Sequence, residues 1–128
     1  MIELHNVTKT YQQKKGLPVT AVSGVNFTIP TGEFLVITGR SGCGKTTLLN
    51  IIAGLARPTS GNIVIDDIDI WTLDDKAISA LRNEKMGFMF QVPSLIPTLT
   101  VIDNVVVPTM FTGKESQRDV YEKACTVV

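Results

Sequence analysis

The sequence predicts an α/β fold, and three observations predict it. Residues 39–47 read Gly-Arg-Ser-Gly-Cys-Gly-Lys-Thr-Thr, which satisfies the spacing G-x-x-x-x-G-K-[ST]. Directly before them, after Thr31-Gly32, stands the apolar run Phe-Leu-Val-Ile at 34–37, as expected of a strand buried on both faces. Directly after, residues 46–53 (TTLLNIIA) are apolar and helix-compatible, with Gly54 as a terminator. Strand, glycine-rich loop and helix form the context in which this spacing cradles phosphate. Gly39, Gly42 and Gly44 let the backbone curl close to an anion, and the helix N-terminus adds its positive end. Lys45 is placed for the β- and γ-phosphates, and the Thr46 hydroxyl for Mg²⁺.

The other elements follow in chain order. Residues 2–7 alternate and predict a half-buried strand, followed by Tyr11 and a polar connection from 12 to 16 with Pro18 beyond it. Residues 19–29 predict a second strand through the alternation of Val25, Phe27 and Ile29, and Pro30-Thr31-Gly32 a turn. After the helix, residues 57–61 (RPTSG) form a turn cluster, 62–65 a short strand and Asp66-Asp67 another turn, and 68–70 an edge pairing. Residues 74–85 predict a helix with Ala77, Ile78 and Leu81 on one face, and 86–91 (MGFMFQ) a buried strand. A loop with Pro93 and Pro97 follows. Thr100 and Asp103 predict a weak capping box for a helix carrying Ile102, Val105 and Val106, which Pro108 ends or kinks. Gly113 breaks the chain, and Ser116 caps a last helix from 117 onward. Its apolar face is Val120, Ala124 and Val127 or, equally, Tyr121, Ala124 and Val128.

Composition narrows the function classes. The 128 residues are one domain's worth, and 44% hydrophobic content belongs to a globular chain. Twelve Lys and Arg balance twelve Asp and Glu, so no nucleic-acid partner is expected. The start, Met-Ile-Glu-Leu-His, has no signal-peptide character, and the longest apolar stretch, 48–56, is broken by Asn50 and too short for a membrane span. A cytoplasmic chain is expected, held at a membrane only by a partner. Cys43 and Cys125 suggest no disulfide framework. Cys43 has two open readings: a small residue in a tight loop, or a thiol activated by Lys45 and the helix N-terminus. His5, the only histidine, reads as structural, and the acidic clusters 66–69 and 74–75 read as turns and helix starts.

Taken together, the motifs resemble the nucleotide-binding domain of ABC transporters, most of all the ATPase subunits of macrolide-export and lipoprotein-release systems. The resemblance rests on residues 6–11 (NVTKTY), 31–34 (TGEF), 39–50 and 58–61 (PTSG), and continues through 81–88 (LRNEKMGF), Phe90-Gln91 and 95–100 (LIPTLT). These stretches occur in the family's order and run to about Pro108. The resemblance implies a P-loop NTPase in three parts: an N-terminal antiparallel β subdomain (1–32), an incomplete RecA-like core (33–91), and the Q-loop with the start of the helical subdomain (92–128).

It also implies roles. ATP and Mg²⁺ are the expected cofactors. Gly39, Arg40, Ser41, Gly42, Cys43, Gly44, Lys45, Thr46 and Thr47 hold the phosphates, and Tyr11 stacks on adenine. Thr46 and Gln91 ligate the metal. Arg40 departs from the commoner proline and Thr46-Thr47 from Ser-Thr, at a variable position and with the hydroxyl kept. Residues 92–100, with Leu95, Ile96 and Leu99, correspond to the segment near the membrane subunit's coupling helix. The expected partners are a transmembrane permease and a second nucleotide-binding domain, in an exporter at the cytoplasmic face of the inner membrane.

The sequence contains no Leu-Ser-Gly-Gly-Gln segment, no apolar run ending in Asp-Glu and no later histidine. Phosphoryl transfer needs groups of that kind to position water and stabilise charge. These residues are therefore expected to bind nucleotide without turning it over and, with flanking strands lacking, to expose an apolar edge or face, leading to partial disorder, self-association, strand exchange between copies or pairing with a separate fragment. A hydrolysis-deficient binding or interaction module shares every motif present and stays open beside the transporter ATPase. A different P-loop enzyme fits less well, given Tyr11, Phe90-Gln91 and the lack of an Asn-Lys-x-Asp segment.

Overall fold

Four strands make one antiparallel sheet in a computed structural model that describes residues 1–92, 95–111 and 117–127. They are β1 (Ile2–Tyr11), β2 (Val19–Ile29), β3 (Ser60–Ile65) and β4 (Ile68–Asp69), in the spatial order β2-β1-β3-β4. β1 is central and runs longer than its alternation predicted. Ile2 stands opposite Ile29 of β2 and Ile65 of β3, and Tyr11 opposite Val19. The buried positions of β1 are Leu4 and Val7, three apart, so the strict period of two is broken between them. The cause is a bulge at Asn6, whose φ of 50° shifts the register. Gly61 of β3 packs against that bulge, and a Cβ there would collide with the carbonyls of His5 and Asn6.

The described residues divide into two compact units, Met1–Ile78 and Ser79–Val128. In the first, Leu4, Val7, Val22, Ile63 and Ile65 of the sheet are buried together with Ile51 of helix α1 (Lys45–Ile52), and with Ala53, Ile70 and Ile78. Burial stabilises by about 1.5–3 kcal/mol for each large aliphatic side chain. α1 ends as predicted. Gly54 takes a φ of 65°, and the N–H groups of Leu55 and Ala56 both donate to the Asn50 carbonyl, at 2.8 and 3.0 Å.

The acidic clusters serve as turns and caps. Asp66 and Asp67 turn the chain between β3 and β4 with φ of 46° and 66°, and Asp66 also pairs with the N-terminal ammonium at 2.7 Å. Asp69 accepts the Trp71 N–H at 3.0 Å and starts a 3₁₀ turn, Ile70–Thr72. Asp74 accepts the Ala77 N–H at 2.7 Å and starts α2 (Asp75–Lys85), in which Ile78 is buried. His5 pairs with Glu3 at 3.4 Å on the exposed face of β1.

In the second unit, α3 (Val101–Val106) opens with the predicted capping box between Thr100 and Asp103 and passes through Pro108 into a 3₁₀ turn, Val107–Phe111. It packs against α4 (Gln117–Val127), where Ala124 is buried, Val120 half-buried and Tyr121 exposed. This favours the face through Val120 over the one through Tyr121. Pro93, Gly113, Ser116 and Val128 lie outside the described residues.

Two expected strands are not formed. Residues 34–37 pair with no strand among the described residues, and Phe34 is 88% exposed. Residues 86–91 likewise form no strand; Met89 is 99% exposed, and the rings of Phe88 and Phe90 stack with centroids 6.4 Å apart. Both runs have the composition of buried strands. Among the described residues neither is paired with a strand edge that offers a row of N–H and C=O groups, and without that edge propensity alone makes no strand.

Candidate functional site

The loop at 39–47 leaves residues 34–37, curls, and enters α1. Gly44 is the N-cap of the helix in the left-handed conformation, φ 95° and ψ 3°. It lies so close to β2 that a Cβ would collide with the Ala21 carbonyl, so both backbone angle and space demand glycine there. No side chain caps the helix, and the first acceptor used inside it is the Gly44 carbonyl, bonded by Leu48 N–H at 2.8 Å. The N–H groups of the first turn are thus left to an external acceptor. A left-handed residue followed by helical ones turns successive N–H groups inward, the arrangement that seats an anion.

Lys45 supplies the charge. Its ammonium donates to the carbonyls of Gly39 and Arg40, both at 2.8 Å, and lies 3.6 Å from Cys43 Sγ. It therefore sits inside the curl, holding both arms of the loop. A phosphate entering the curl would give the ammonium an anionic acceptor in place of neutral carbonyls, adding the attraction of opposite charges to the hydrogen bond. Thr46 is exposed, and neither it nor Ser41 spends its hydroxyl on another described residue. A groove of about 220 Å³ runs between β2 and the loop, lined by aliphatic groups such as Val22, Ile37 and Leu48 and, on the loop side, by Cys43, Gly44 and Lys45.

Tyr11 ends β1 and is 43% exposed, with the Lys9 ammonium 5.1 Å from its ring centroid. No hydrogen bond or ring contact joins it to the loop among the described residues. Gln91 lies on an exposed bend of the second unit. Leu95, Ile96 and Leu99 are exposed, and their loop is braced by Asn104, whose Oδ1 accepts from Ile96 N–H at 2.8 Å. The Asn104 amide also donates to the carbonyls of Ile96, Leu99 and Thr100, at 3.2, 3.3 and 2.9 Å. Sequence reading missed Lys9, although its i, i+2 spacing from Tyr11 on a strand puts both on one face. It missed Asn104 as well, for which no local signal exists.

A phosphate-type loop capping a helix, beside an antiparallel sheet that ends in an exposed tyrosine, defines a domain of the P-loop NTPase class. Within that class the chain belongs to the ABC transporter family, whose sequence profile matches residues 22–127. It is 47% identical over 111 residues to the uncharacterized ABC transporter ATP-binding protein MJ0796 of Methanocaldococcus jannaschii, covering 87% of this chain and 47% of that one. It is 32% identical over 124 residues to the lipoprotein-releasing system ATP-binding protein LolD 1 of Chlorobium chlorochromatii, covering 97% and 50%. A solved dimeric structure of the ATP-binding cassette MJ0796, bound to ADP and Pi, superposes with a TM-score of 0.86 at 42% identity, covering 98% of this chain and 55% of that one. The chain thus spans about half the length of these relatives. No helix among the described residues is long and apolar enough to cross a membrane.

Proposed function

We propose that these residues bind Mg-ATP through the loop at 39–47, as the ATP-binding part of an ABC-type exporter. The observation that carries the reading is the curl itself: a left-handed Gly44, uncapped first-turn N–H groups, and the Lys45 ammonium at its centre. Thr46, exposed with a free hydroxyl, and Gln91, exposed with an amide oxygen, are hard oxygen donors suited to Mg²⁺, which keeps most of its other positions for phosphate and water. The metal would neutralise charge on the phosphates. This chain's own part is to bind and orient them. Tyr11 offers an exposed ring to adenine, a contact of about 1–3 kcal/mol.

The exporter assignment rests on the motif run and on LolD 1, described as part of a lipoprotein-releasing system. The partners proposed are a transmembrane permease meeting the exposed Leu95, Ile96 and Leu99, and a second nucleotide-binding domain, in line with the dimeric MJ0796 cassette. Such a complex would sit at the cytoplasmic face of the inner membrane. The three-part division at 32/33 and 91/92 belongs to the same proposal. The 128 residues contain no signature segment and no Asp-Glu pair to polarise water, so binding without turnover is expected of them.

Titration calorimetry with Mg-ATP tests this. Lys45→Ala removes hydrogen bonds to a charged group, each worth about 1.5–3 kcal/mol, and should weaken binding roughly ten- to a hundredfold. Unchanged affinity in that variant would refute the phosphate loop as the site. Phosphate release by the unaltered chain, abolished by Lys45→Ala, would refute binding without turnover.

A further inference from the structure

We infer that Lys9 is a positioning residue for the adenine ring, acting through Tyr11; this rests on the proposed stacking of adenine on Tyr11. The Lys9 ammonium stands over the Tyr11 ring, 5.1 Å from its centroid, and at the same time donates to the Arg57 carbonyl at 2.6 Å. Arg57 is itself anchored. Its guanidinium donates to the Trp71 carbonyl at 3.1 Å and lies 5.8 Å from the centroid of the Trp71 ring. The cation over Tyr11 is therefore tied, through one backbone carbonyl, to the turn that follows α1.

The same turn grips the backbone beside Tyr11. Thr10 N–H donates to the Thr59 hydroxyl at 2.9 Å, and Thr59 N–H donates to the Thr8 carbonyl at 2.8 Å. A tyrosine at the end of a strand ordinarily keeps rotamer freedom, and a base that stacks on it must first immobilise it. Here the strand end is pinned and a fixed cation covers part of the ring, while Tyr11 remains 43% exposed. The ammonium holds one face by its attraction to the ring quadrupole. The remaining face is left for a flat, neutral base. The arrangement gains affinity for the base without touching it.

The test compares two ligands, Mg-ATP and inorganic tripolyphosphate, by calorimetry on the 128-residue chain. Lys9→Met keeps the aliphatic stem and removes the cation. It should weaken Mg-ATP about two- to fivefold, the value of an exposed cation–π contact, and leave tripolyphosphate unchanged. Lys9→Arg should keep the wild-type preference. In a Tyr11→Ala background, Lys9→Met should have no further effect. Equal weakening of both ligands would mean that Lys9 acts as a plain charge or on the fold, and would overturn the inference. So would an undiminished effect of Lys9→Met in the Tyr11→Ala background, or no effect of Lys9→Met in a chain where Tyr11→Ala does weaken Mg-ATP. If Tyr11→Ala leaves Mg-ATP binding intact, the stacking reading itself fails, and Lys9 falls with it.

Discussion

Residues 63–65 of β3, Ile-Val-Ile, and residues 34–37, Phe-Leu-Val-Ile, are equally apolar and equally suited to a strand. Ile63 and Ile65 are buried, at 0% and 5% exposure, whereas Phe34 lies almost wholly in solvent. The difference is in what stands alongside. β3 has β1 on one edge and β4 on the other, both antiparallel, so its N–H and C=O groups are used and its side chains reach the core. The run at 34–37 leads into the phosphate loop with no such neighbour among the described residues. A strand is a property of a pair. Composition decides which segments are able to form one, and a partner edge decides which of them do.

That comparison can be broken by experiment. The largest effect is expected in the core of the sheet: Ile63→Ala should lower unfolding free energy by about 2–5 kcal/mol in urea denaturation. Phe34→Ala, at an exposed position, should change it by less than about 0.5 kcal/mol. Similar losses at both sites would show that 34–37 is packed in solution after all. A finer contrast uses two glycines of nearly equal φ. Gly61 (φ 83°) faces the His5 and Asn6 carbonyls, and Gly32 (φ 82°) has nothing within 4 Å of a Cβ. Both alanine variants incur backbone strain of about 1–3 kcal/mol, and Gly61→Ala alone adds a steric clash. Its melting temperature should fall clearly further, and equal falls would argue against the interlock of β3 with the Asn6 bulge.

A further effect concerns the exposed runs themselves. Phe34→Ser combined with Met89→Ser should weaken concentration-dependent association about tenfold in sedimentation velocity. That is the expected loss when apolar side chains no longer bury against a second copy. Association unaffected by the pair of changes would place the contact elsewhere.

Much of the loop's geometry was legible because its determinants lie within nine residues. The glycines, Lys45 and Thr46 are close in the chain, and a helix start needs only its own first turn. The Thr100–Asp103 box and the helix start at Asp74 were legible for the same reason. The hydrogen bonds of the Lys45 ammonium to the carbonyls of Gly39 and Arg40 were not. The two misplaced strands share one physical origin, since the hydrogen bonds that would make them come from partners far along a chain.

From the sequence alone came the glycine-rich loop that opens α1, four of the expected strands, the Thr100–Asp103 box and the family, all carried by short-range spacing. Only the tertiary structure decided which apolar runs became strands. It also placed the break in β1 at Asn6, opposite Gly61, and joined Lys9 to Tyr11 on one side and to Arg57, 48 residues away, on the other. Local spacing constrains backbone angles within a turn or two. Pairing, burial and side-chain anchoring depend on groups brought together across the chain, and their partners are written nowhere near the residues that need them.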